Sequence, residues 1–131
     1  MTDERRSTRT TDFVFDGKVV RATFHQGAEV TLPDAEQHAA TVEALCGGRK
    51  VAVLVDLRQL KSQDRETRAF YASARSVAFT KCCALLINSS LSKVLGSFFM
   101  GFNKPPYPTR LFTSPEEAEA WLATFDVSDR A

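Results

Sequence analysis

A chain of 131 residues is about the modal length of a single domain and too short for two independent cores. With 44% apolar and 25% charged residues its composition is that of a globular protein, which excludes a disordered or fibrous chain. The 17 basic and 16 acidic side chains leave a formal charge of +1, so no large field exists to draw in nucleic acid or an anionic membrane, and neither is an expected partner.

Cys46, Cys82 and Cys83 are odd in number and form no C-x-x-C pair, which argues against a disulfide framework or a zinc site and for a reducing compartment. The first residues carry no apolar leader, and no apolar run approaches the eighteen or more of a membrane helix, so a soluble, cytoplasmic protein without stable membrane insertion is expected. Residues 1–12 are polar and include Arg5, Arg6 and Arg9 without alternation, which predicts a flexible arm. One domain is expected over residues 13–126, with 127–131 as a tail.

Phe13 and Phe15 alternate up to Asp16-Gly17, and Val20, Ala22 and Phe24 alternate after it, which predicts a hairpin closed by a type I′ turn. Pro33 and Asp34 suit a first helical turn, Ala35, Ala39, Val42 and Cys46 form its stripe with Leu45 beside it, and Gly47-Gly48 stops it. Val51–Val55 is a short, unbroken apolar run rich in valine and ending at Asp56, the pattern of a strand covered on both faces. Asp64 then caps a helix carrying Phe70, Ala74 and Val77 inward and Arg65, Arg68 and Arg75 outward.

Cys83–Ile87 reads as a second buried strand, with Cys82 and Cys83 as small core residues on opposite faces. Asn88-Ser89-Ser90 offers caps to a helix striped by Leu91, Val94, Leu95, Phe98 and Phe102. Three prolines in Asn103–Pro108 force a loop, Thr109–Phe112 makes a last strand, and Ser114-Pro115-Glu116-Glu117 opens a helix with Ala118, Trp121, Leu122 and Phe125 inward. The order is ββαβαβαβα, an α/β fold with a four- to five-stranded sheet and four helices. Because two strands are apolar on both faces, either helices cover both or a second subunit does, and a homodimer is one expected partner arrangement.

No chemistry-bearing motif emerges. Gly47-Gly48 follows a helix instead of opening one, so no phosphate loop is present, and no serine has glycine two residues away on both sides. His25 and His38 lack neighbours at ligand spacing and read as surface or boundary residues. No metal, cofactor or catalytic residue is expected. The charged loop and helix start after the central strand, Asp56, Lys61, Ser62, Asp64, Arg65, Glu66, Thr67 and Arg68, form a candidate contact surface. Lys104, Tyr107 and Arg110, around stiff prolines, form a second. Asn88, Ser89 and Ser90, at the end of the second buried strand and near Phe98, Phe99 and Phe102, are the candidate ligand site.

The order of elements, with Val53-Leu54-Val55-Asp56-Leu57 before a polar turn and helix, resembles the STAS domain family of SpoIIAA-like anti-sigma-factor antagonists, in a divergent stand-alone bacterial branch. The stretch Asn103–Pro108 with Arg110-Leu111-Phe112-Thr113 carries the same resemblance. It implies a mixed sheet and a non-enzymatic role in binding another protein, switched in better understood members by phosphorylation of a Ser or Thr after an Asp at this helix start. Here Asp64 matches the acid, but Arg65 and Glu66 stand where the hydroxyls would, leaving Thr67 and Ser62 as the nearest acceptors. A glutamate supplies one charge and two acceptors against a phosphate's near-double charge and three oxygens, so Glu66 mimics it only in part. The family's kinship with lipid carriers of the SEC14 type implies the alternative of a small-molecule or lipid-binding module.

Overall fold

The protein is described by a computed structural model covering residues 3–71, 79–88 and 107–130. Six strands form one sheet in the order β1-β2-β3-β5-β7-β8: β1 (Glu4–Ser7), β2 (Thr11–Phe15), β3 (Val19–Phe24), β5 (Val51–Asp56), β7 (Thr80–Leu86) and β8 (Thr109–Phe112). The first three are antiparallel, while β3, β5, β7 and β8 run parallel, so the sheet is mixed. A separate parallel pair joins β4 (Glu29–Val30) to β6 (Ser62–Gln63). The described helices are α1 (Leu32–Cys46), α2 (Arg65–Tyr71) and α3 (Pro115–Arg130). The helix expected over Leu91–Phe102 lies outside the described residues, as do Ala74, Arg75 and Val77.

Alternation fixes the two faces. Phe13, Phe15, Val20, Ala22, Val51 and Val53 pack with Val42, Leu45 and Cys46 of α1 on one face. The intervening residues Ala52, Leu54, Cys82, Ala84 and Leu86 pack with Ala118 and Leu122 of α3 on the other. Each of β5 and β7 is therefore covered twice by helices or loops of its own chain, as a parallel strand requires. That removes the reason for which a second subunit was expected.

The expected flexible arm is corrected over Glu4–Ser7, which pairs antiparallel with β2 from Glu4↔Phe15 to Ser7↔Asp12. It is a polar edge strand with all four side chains exposed, so it carries no hydrophobic alternation by which to be read. Just before Phe13, Thr10 and Thr11 are buried, and the Thr11 amide donates to the Thr8 hydroxyl oxygen. The added strand is why the sheet has six strands instead of four or five.

The hairpin turn differs as well. Gly17 alone takes a positive φ, at 95°, and Asp16 contributes its carboxylate, accepting the amides of Lys18 and Val19 at 2.8 Å each. With Phe15 paired to Val20 and the Asp16 amide on the Val19 carbonyl oxygen at 3.4 Å, Gly17 and Lys18 form the tip, and an Asx acceptor with one positive φ replaces the type I′ turn expected at Asp16-Gly17. At α1 the caps follow expectation, with Asp34 accepting the Thr31 amide at 3.0 Å and Gly47 ending the helix at φ 63°. His38 is corrected from surface to core. It completes the buried stripe Ala35, His38, Val42 and Leu45, and its ring centroid lies 4.9 Å from that of Phe13 and 5.8 Å from that of Phe24.

Candidate functional site

β4 and β6 each lead directly into a helix, so pairing Glu29 with Ser62 and Val30 with Gln63 sets the starts of α1 and α2 side by side. The connection from β5 is tied to this pair by its backbone. Gly27 donates to Gln59 O at 2.8 Å, Lys61 to Ala28 O at 2.9 Å, and Asp64 to Val30 O at 3.3 Å. Beneath it Phe24, Val30, Leu57, Cys83, Leu85 and Ile87 form an apolar cluster that closes the carboxyl end of the strands.

On this base Lys61, Ser62, Asp64, Arg65 and Glu66 are all exposed, so five residues of the expected contact surface are together and face outward. Asp64 is the helix cap foreseen from the sequence: its Oδ1 accepts the Thr67 amide at 2.8 Å and the Thr67 hydroxyl at 2.6 Å. Thr67 itself is corrected. It is fully buried, and its hydroxyl also reaches Val30 O at 3.3 Å, so it is a structural residue of the helix start and not a surface group. The Arg68 side chain lies outside the described residues.

Asp56 is mostly buried and turned to Arg58, which binds it through its amide at 3.0 Å, Nε at 3.1 Å and Nη2 at 2.9 Å. Burial raises the Asp56 carboxyl, but these bonds prevail and hold it below the usual range. Arg58, raised by the same contact, joins the surface although sequence reasoning missed it; an arginine two residues after an acid at a strand end was the available signal. Asn88 is exposed and donates to Arg58 O at 3.3 Å, which places it beside this group. Ser89, Ser90, Phe98, Phe99 and Phe102 lie outside the described residues.

The second expected surface is not one surface. Lys104 lies outside the described residues, and Tyr107 packs against the cluster of Phe24, Val30 and Leu85 on the α1 side. Arg110 is on the opposite face, its guanidinium carbon 5.1 Å from the Phe112 ring centroid and 6.0 Å from that of Trp121. Alternation along β8 puts Arg110 with Phe112 on one face and Leu111 on the other, the face on which Tyr107 packs before the strand begins.

Neither cysteine of β7 is poised for reaction. Burial pushes Cys82 up to about 11 despite the neighbouring Lys81, and Cys83 up to about 12. Among the described residues no group of three or more His, Cys, Asp or Glu is placed to hold a metal, and no helix is long and apolar enough to cross a membrane. The parallel strands follow one another in chain order, so among them there is no point of strand-order reversal at which an open α/β sheet forms its ligand crevice.

Comparison with known proteins bears out the resemblance at the level of fold. A crystal structure of an uncharacterized protein of the DUF3478 family with a SpoIIAA-like fold, from Shewanella loihica PV-4, superposes with a TM-score of 0.53. The match covers 92% of each chain at 17% identity, so the shared feature is the fold. No curated protein matches the chain. Residues 13–126 match the family described as "Domain of unknown function (DUF7793)", and the chain belongs to that family.

Proposed function

We propose that this is a non-enzymatic, STAS-like regulatory domain that binds another protein through the start of α2 and the loop before it. The observation that carries this reading is the exposed row Lys61, Ser62, Asp64, Arg65 and Glu66 on a backbone already bonded to Ala28 and Val30. A charged surface held in one conformation before contact loses little entropy on binding, and its alternating signs favour one complementary partner over bulk electrostatic attraction. Arg58 and Asp56 extend it at one end. The hydroxyls of the switch in better understood STAS members are replaced by Arg65 and Glu66, and Ser62, exposed in the same row, is the acceptor left at this surface.

The test is affinity capture from the native cell with wild type and with Lys61→Glu/Arg65→Glu, both checked for equal thermal stability. The reading expects a specific protein retained by wild type and lost by the double variant. A partner held equally by both would place the contact elsewhere and overturn it.

A further inference from the structure

We propose that His25 is a pH-dependent latch on the N-terminal segment: as the imidazolium it ties the turn Thr8–Thr10, and behind it the edge strand β1, to β2 and β3, and on losing its proton it loosens them. Both ring nitrogens face acceptors. Nδ1 lies 3.2 Å from the Arg9 carbonyl oxygen and Nε2 lies 2.9 Å from Asp12 Oδ1. A neutral imidazole has one N–H, so only the imidazolium donates to both. Loss of the proton leaves a ring nitrogen turning its lone pair on an acceptor.

The remaining contacts make His25 the junction of three elements. Its amide donates to Thr10 O at 2.8 Å, and Asp12 on β2 also accepts the Ser7 hydroxyl of β1 at 2.8 Å. These bonds to His25 and Ser7 hold the Asp12 carboxyl below its usual range, so it remains the anion wherever histidine titrates. From α1, Asp34 faces the same turn through Arg9, whose Nε donates to it at 3.0 Å. From β4, Glu29 offers its carbonyl to Arg9 at 3.1 Å while its carboxylate lies 3.8 Å from Lys61. Asp12, Asp34, Glu29, Arg9 and Lys61 are thus the charges around the latch, and histidine is the type that changes charge between pH 5 and 8.

β1 depends on this turn because it places no side chain in the core: all four of its residues are exposed, and it is held by its ladder to β2. Segments with so little burial open well below the global unfolding energy. Releasing β1 uncovers the edge of β2, a row of backbone groups that another strand is able to pair with.

The experiment is amide hydrogen exchange on the intact chain, with rates over residues 4–10 corrected for intrinsic pH dependence and referenced to β3 and β5, at pH 6 and pH 8. Protection of the segment is expected to fall roughly two- to fivefold from pH 6 to pH 8, the scale of one exposed ion pair. In His25→Gln it is expected to be low and equal at both values. His38 does not confound the window, since burial pushes it down to about 4. Should His25→Gln fold poorly, Asp12→Asn is expected to keep the segment attached with a shallower pH dependence. Protection that is flat in wild type, or that falls equally in the variant, would overturn the latch.

Discussion

Arg21 on β3 and Glu119 on α3, 98 residues apart in the chain, meet in a two-point ion pair: Nε to Oε2 at 2.8 Å and Nη2 to Oε1 at 2.7 Å. The same guanidinium donates Nη1 to Asp16 at 2.7 Å, so one side chain joins the last helix to the hairpin turn. On the same face of β3, Val19 packs against the apolar cluster that α3 forms with β5 and β7, so the ion pair adds charge to apolar packing on this side of the sheet.

Because both partners are about a third exposed, Glu119→Ala is expected to cost only about 0.5–1 kcal/mol. Arg21→Ala is expected to cost more, since Asp16 loses its partner and the alkyl stem its packing. Urea unfolding of the singles and the double gives the coupling directly. A coupling of zero would show that α3 is held by its apolar stripe alone.

Removing the α2 cap by Asp64→Ala is expected to destabilise by about 1 kcal/mol, with Asp64→Asn close to wild type. Thr67→Glu places a charge in a fully buried site and is expected to cost roughly 3 kcal/mol or more. Denaturant midpoints check both. A Thr67→Glu variant as stable as wild type would mean that the helix start opens freely and that Thr67 is accessible after all.

At pH 8 the native protein is expected to resist thiol labelling at Cys82 and Cys83, because burial holds them at about 11 and 12. Unfolding in urea is expected to release all three cysteines, each of which is buried and free. Rapid labelling of either β7 thiol in the folded state, followed by mass spectrometry, would contradict the packing of β7.

Acid sensitivity is expected in two steps. His38 has its folded value pushed down from 6.5 to about 4 by burial, so stability is complete above pH 6.5 and declines as pH falls toward 4. The loss is on the order of 3 kcal/mol at about 1.4 kcal/mol per unit. Asp34, held at about 2 first by the Arg9 hydrogen bonds and then by Thr31, contributes stability that is present above about pH 4 and lost as pH falls through 2. Unfolding free energies from pH 7 to pH 2 measure both, and His38→Met is expected to abolish the first step and keep the second.

Periodicity alone determined most of this fold. The alternation of Phe13, Phe15, Val20, Ala22 and Phe24, the unbroken Val51–Val55 run and the Ser114-Pro115 helix start each encode a local geometry in a local pattern, and all appear where the pattern puts them. The Asp64 cap was legible for the same reason, since a cap and its amide are three residues apart. What the sequence did not contain was any marker for contacts made across the chain. β1 is polar on both sides and exists through its ladder to β2, and His38 is core because Phe13 and Phe24 come to it. Tyr107 and Arg110, close in sequence, were divided between opposite faces of the sheet. Tertiary structure decided these because polar groups have no periodic signature of burial: what they do depends on which partner the fold brings within hydrogen-bonding distance.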